Sequence, residues 1–149
     1  FCLYFAKFCV VAKMAVLTQA WLLVLFVFGG KCGATLPGFP PPEIVLWLLR
    51  GVIGGLAIIA LQLLLSMVIR NFALPVLIAL GGSVAGMLAV SEDLGLYWPY
   101  SLMILGMNSN RTEDVMAGGI WGFFLSCAVF LTVILLIANV LLTKRDVKA

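Results

Sequence analysis

Arg50 is the one charged side chain that falls well inside a long apolar run, IVLWLLRGVIGGLAIIALQLLLSMVI, and Gln62 follows further along it. A guanidinium held centrally in hydrocarbon costs about 2.5 to 3.5 kcal/mol, so its presence calls for a reason. Two readings stand. Arg50 snorkels to headgroups or pairs with Glu43, or it offers a positive charge to a substrate path. Other chemistry is scarce. Histidine is absent, which removes the commonest general base, metal ligand and proton relay together. Every carboxylate from Glu43 to Asp146 sits at the end of an apolar run or in a connection. A proton-coupled transporter or a paired-aspartate membrane protease needs such a group at membrane depth. Cys2, Cys9, Cys32 and Cys127 form no CxxC pair, which argues against a thiol oxidoreductase or a disulfide framework. The expectation is a protein with no catalytic residues, no metal site and no cofactor of its own: not an enzyme.

The elements that carry these residues follow from composition. The 149 residues are 64% hydrophobic and 10% charged, with a mean hydropathy of +1.24, outside the range of soluble domains. Basic residues are dispersed and gather only at the tail, so nucleic acid is not an expected partner. Hydrocarbon about 30 Å thick needs roughly 20 helical residues. Cutting the apolar runs at charges and turn residues gives four spans, at about 8–30, 44–69, 72–90 and 116–143. The fold class is all-α, a polytopic membrane protein in one transmembrane domain. Pro37, Pro40, Pro41 and Pro42 make the first connection a turn in water or headgroups. Arg70-Asn71 makes the second a short polar turn.

Lys7, Lys13, Arg70, Lys144, Arg145 and Lys148 fall on one side, which the positive-inside rule makes cytoplasmic, with both termini. Trp47, Tyr97, Trp98, Tyr100 and Trp121 fall near the other interface, as an aromatic belt requires. The stretch YWPYSLMILGM, about 97–107, is apolar yet too short to cross, since Trp98 to Met107 would make a helix of only about 15 Å. With Pro99 in its first turn, it is expected to dip in from the outer side as a re-entrant or interfacial helix. An irregular outer loop is the plainer alternative.

Small residues mark where helices approach. Gly51, Gly55, Gln62 and Ser66 fall near one face of the second span; Gly82 and Gly86, and Gly118, Gly122 and Ser126, repeat the spacing. Thr132, Asn139 and Thr143 share a face of the last span and are expected to hydrogen-bond between helices. Asn110-Arg111-Thr112 is formally a glycosylation sequon.

LSMVIRNFALPVLIALGG (Leu65 to Gly82) with GLYWPYSLMILG (Gly95 to Gly106) resembles the permeases of type-2 ATP-binding-cassette exporters, and among these most resembles the lantibiotic immunity permeases. The features that match are the leucine-serine pair before Arg70-Asn71-Phe72, Pro75, the glycine-bearing span, and Pro99-Tyr100-Ser101. Tyr4-Phe5-Ala6-Lys7 also looks like the start of that family's third span. The resemblance implies a C-terminal four-span portion of a six-span permease, and the opening FCLYFAKFCV, with no initiator Met or secretory signal, accords with a fragment.

The function implied is export of an antimicrobial peptide from a bacterial plasma membrane. The expected partners are a cytoplasmic ATPase subunit holding ATP and Mg, a second permease, the lipid bilayer and the peptide. Arg50, Gln62, Trp98, Pro99 and Tyr100 are the candidates for the substrate path or outer gate, and Arg70 and Asn71 for contact with the ATPase. The alternative is a stand-alone four-span small transporter or an accessory membrane scaffold.

Overall fold

The structure, a computed structural model, describes residues 2–33, 43–109 and 119–146. Its elements are α1 (Cys2–Gly33), α2 (Ile44–Val68), α3 (Ala73–Ser91), a single 3-10 turn (Gly95–Tyr97), α4 (Leu102–Gly106) and α5 (Ile120–Asp146), with no strand among the described residues. Cys2–Gly30, Ile44–Val68, Ala73–Ser91 and Ile120–Thr143 are each long and apolar enough to cross a bilayer. The chain is an all-α polytopic membrane protein.

The second and third spans match their expected limits to within one residue. The first does not. Helix α1 starts at Cys2 rather than near Phe8 and continues past Gly30 to Gly33. A lysine on an exposed helix face costs little, and the Gly29-Gly30 pair weakens a helix without removing a hydrogen bond as proline does. The last span begins at Ile120; the expected start near Met116 and the sequon at 110–112 lie outside the described residues.

Helix α2 is the centre of the bundle. Its second half packs antiparallel to the first turns of α1 and alongside the last turns of α5, in a core of Tyr4, Phe8, Ala60, Leu64, Ile134, Ala138 and Leu142. The Tyr4 hydroxyl donates to Ala60 O at 2.8 Å, fixing the register of α1 on α2. This is the basic end of the molecule, where α2 finishes just before Arg70. Toward the opposite end a second core joins Ala57 of α2 to Leu102 of α4 and to Phe123 and Cys127 of α5. Helix α3 belongs to neither core, and of its residues only Pro75 and Gly86 are buried.

Two non-glycine residues in the left-handed region end helices. Asp93 (φ 57°) follows α3 and Asn108 (φ 50°) follows α4. Both close Schellman-type caps, with Leu94 N donating to Ala89 O at 2.8 Å and Ser109 N to Ile104 O at 3.2 Å. Aspartate and asparagine tolerate this conformation better than other non-glycine residues. Thr132, Asn139 and Thr143 are exposed, and the Thr143 hydroxyl reaches Asn139 Oδ1 at 3.4 Å on its own helix. They do not bridge helices as expected, because the inward face of α5 is taken by Phe123, Cys127, Ile134 and Ala138.

Candidate functional site

Residues 95–107, which follow α3, form a wedge driven between α2 and α3. Glycines make room for it. A Cβ on Gly54 would sit 2.5 Å from Leu102 O, and one on Gly106 2.6 Å from Arg50 O, so α2 and α4 touch backbone to backbone. Gly51 meets Met107 in the same interface. On the other flank a Cβ on Gly82 would lie 2.6 Å from the Tyr100 ring and one on Gly86 3.1 Å from Ser101 N. The close approach on α2 uses Gly51 and Gly54; Gly55, expected on that face, lies further off, 3.9 Å from Met103 Sδ.

The wedge enters the bundle and turns back without forming a span, and its helix is shorter than expected. Only Leu102–Gly106 is α-helical. Pro99 does not occupy the first helical turn; it lies in the turn closed by Ser101 N donating to Trp98 O at 3.2 Å. Proline presets the second position of such a turn, which ends the approach to the bundle and starts the return. Irregular backbone at this depth needs its carbonyls satisfied by protein. Ser101 Oγ lies within reach of Trp98 O at 2.6 Å and also of Gly95 O, and the Ser126 hydroxyl donates to Leu96 O. Ser101 is fully buried.

Two side chains tie the wedge to its flanks. Gln62 Nε2 of α2 donates to the Tyr100 hydroxyl at 2.5 Å. Trp98 Nε1 donates to Gly82 O of α3 at 2.9 Å. Burial pushes the Tyr100 phenol above its ordinary range, against the smaller opposing effect of the Gln62 bond, so it remains a neutral hydroxyl.

Between α2 and α3, on the basic side of the wedge, lies a cleft of about 670 Å³. Its walls are mostly apolar, with Gln62, Ser66 and Ser83 as polar points and Arg70, Asn71 and Phe72 at the end where α2 turns into α3. Asn71 Oδ1 accepts from Ala73 N at 3.0 Å and so shapes the turn into α3. The cleft thus runs from the Gln62, Tyr100 and Trp98 contacts to the Arg70-Asn71-Phe72 turn that joins α2 to α3.

Of the residues expected at the site, Gln62, Trp98, Pro99 and Tyr100 come together at one end of the cleft, while Arg70 and Asn71 stand at the other. Arg50 is elsewhere. It is 7% exposed on the α4 side of α2 and does not line the cleft. Sequence reasoning missed Ser101 as a buried anchor, and Gln19 and Trp47, which share a second cavity. The lone amide of Gln19 within the apolar stretch of α1 was the available signal. No group of three or more metal-ligating side chains occurs among the described residues.

Comparison with known protein families, with curated proteins and with solved structures finds no match to this chain.

Proposed function

We propose that the chain is the membrane-spanning permease part of an ATP-binding-cassette exporter that expels an amphipathic antimicrobial peptide, with the cleft between α2 and α3 as part of the path and the wedge as its outer gate. The observation that carries this reading is the cleft and the way it ends. Near Gln62 it meets the wedge through two single side-chain bonds, Gln62 to Tyr100 and Trp98 to Gly82, and at the basic end it is lined by the Arg70-Asn71-Phe72 turn. Two bonds worth roughly 1 kcal/mol each make a seal that a conformational change can break. A volume near 670 Å³ lined mainly by apolar groups suits a few side chains of a peptide rather than a folded chain.

In this reading the basic end faces the cytoplasm of a bacterial cell, and both termini lie there. The exposed Arg70-Asn71 turn is where a separate subunit, holding ATP and Mg, transmits its closure. Binding and positioning are all this chain supplies. Helix α3, attached mainly through the wedge, is the element that such a push would move, with a second permease completing the path.

Replacing Trp98 and Pro99 together by alanine is expected to abolish resistance to the peptide while leaving the protein in the membrane at normal abundance. Unchanged resistance overturns the gate. Replacing Arg70 and Asn71 by alanine is expected to lower ATP turnover coupled to transport. Transport by the purified chain with no ATPase present would instead favour a stand-alone transporter.

A further inference from the structure

A second cavity of about 570 Å³ lies between α1 and α2 at the end opposite the basic one, apart from the cleft. Leu22, Phe26, Ile44, Leu48 and Met107 supply its apolar walls. Two polar side chains line it, Gln19 and Trp47, and each carries a buried atom with no hydrogen-bond partner: Gln19 Oε1 and Trp47 Nε1. Gln19 is 9% exposed, and its Nε2 is turned toward Met107 Sδ at 3.8 Å, which leaves the carbonyl oxygen for the cavity. One orphan is an acceptor and the other a donor. Native structures seldom leave such atoms unsatisfied, and in hydrocarbon no solvent makes up the loss.

We propose that this cavity is a binding site for a single-chain amphipath bearing a hydroxyl group. The aliphatic chain would lie against the leucines and Phe26, and the hydroxyl, which donates and accepts, would meet Gln19 Oε1 and Trp47 Nε1. The volume is that of an ordinary small-ligand pocket. Two sources carry this chemistry, a lysolipid with a free hydroxyl in its headgroup and a diffusible long-chain alcohol. The site shares no lining residue with the cleft and does not depend on the export reading.

The test uses the full chain in phosphatidylcholine nanodiscs and follows tryptophan fluorescence as 2-bromo-1-undecanol, whose bromine sits beside the hydroxyl, or 2-bromoundecane is added, because bromine quenches only tryptophans it touches. The alcohol is expected to quench saturably at a concentration roughly tenfold below that of the bromoalkane, the factor two restored hydrogen bonds of ordinary strength allow. Trp47→Phe should remove that saturable component, and Gln19→Leu should bring the two titrations together. Equal quenching by both probes in the native chain, which needs no variant, overturns the proposal by reducing the effect to partition into the bilayer. Quenching that survives Trp47→Phe unchanged overturns it as well. Doping the nanodiscs with lysophosphatidylglycerol, against lysophosphatidylcholine as control, separates the sources: an alcohol titration weakened only by the former identifies the lipid as occupant, and an unchanged one identifies the diffusible amphipath.

Discussion

Gly54→Ala puts the wedge to its sharpest test. The added Cβ would lie 2.5 Å from Leu102 O, 2.6 Å from Leu102 C and 2.9 Å from Met103 N. All three are backbone atoms, so no side chain can rotate away. Ordinary contact begins near 3.4 Å, and α4 must therefore retreat by about 0.9 Å. Overpacking on this scale costs about 1 to 3 kcal/mol. Alanine is also a better helix former than glycine by about 1 kcal/mol, which blurs the measurement unless it is cancelled. Gly81→Ala supplies the cancellation, because a Cβ there meets nothing within 4 Å. Unfolding in mixed micelles, followed by tryptophan fluorescence, should place Gly54→Ala below Gly81→Ala by about 1 to 3 kcal/mol. The retreat should also loosen Tyr100 from Gln62, so that Tyr100→Phe costs less in the Gly54→Ala background than in the native one. Equal stability of the two alanine variants would refute the backbone-to-backbone packing of α2 on α4.

Three further outcomes can be checked. Tyr100→Phe should lower stability by about 0.5 to 1.5 kcal/mol, and adding Gln62→Leu should restore part of it, since removing both partners leaves no buried orphan. In the same unfolding assay, Asp93→Gly should be neutral or stabilising, whereas Asp93→Val should cost about 1 to 2 kcal/mol at its φ of 57°. With the native cysteines replaced by alanine, Ser109→Cys and Asn71→Cys should react with a membrane-impermeant thiol reagent from opposite sides; reaction from the same side would overturn the four-span threading.

The spans were legible because each reports itself through an uninterrupted apolar run, and burial in lipid leaves little else to specify. That is also why their ends were less so. Gly29-Gly30 read as a stop and is not one, since glycine only weakens a helix. That 97–107 forms no span was legible by length alone, for a run half as long as the bilayer has few options. Its internal form was not, because Pro99 suits the first turn of a helix and the corner of a turn equally well. The choice between Gly54 and Gly55 was closed to sequence reasoning for a related reason. Adjacent glycines differ by about 100° around the helix, and which one faces α4 depends on where α4 docks.

Arg50 shows where single-helix reasoning stops. Its depth along α2 was readable, but its direction depends on a partner element separated from it by two connections and a span. Gly106 packs on its backbone, so the wedge and not the lipid covers this turn of α2. The same dependence explains why Gln62 and Arg50, both polar and both on α2, end up in different roles. Gln62 faces the gap that the wedge leaves open, and Arg50 the flank that it fills. The position of one short segment thereby decides which polar groups of the central helix meet a substrate in the proposed export cycle. Displacing that segment should alter access to Gln62 before it alters the fold, because the core of Tyr4, Leu64 and Ala138 at the basic end does not include it.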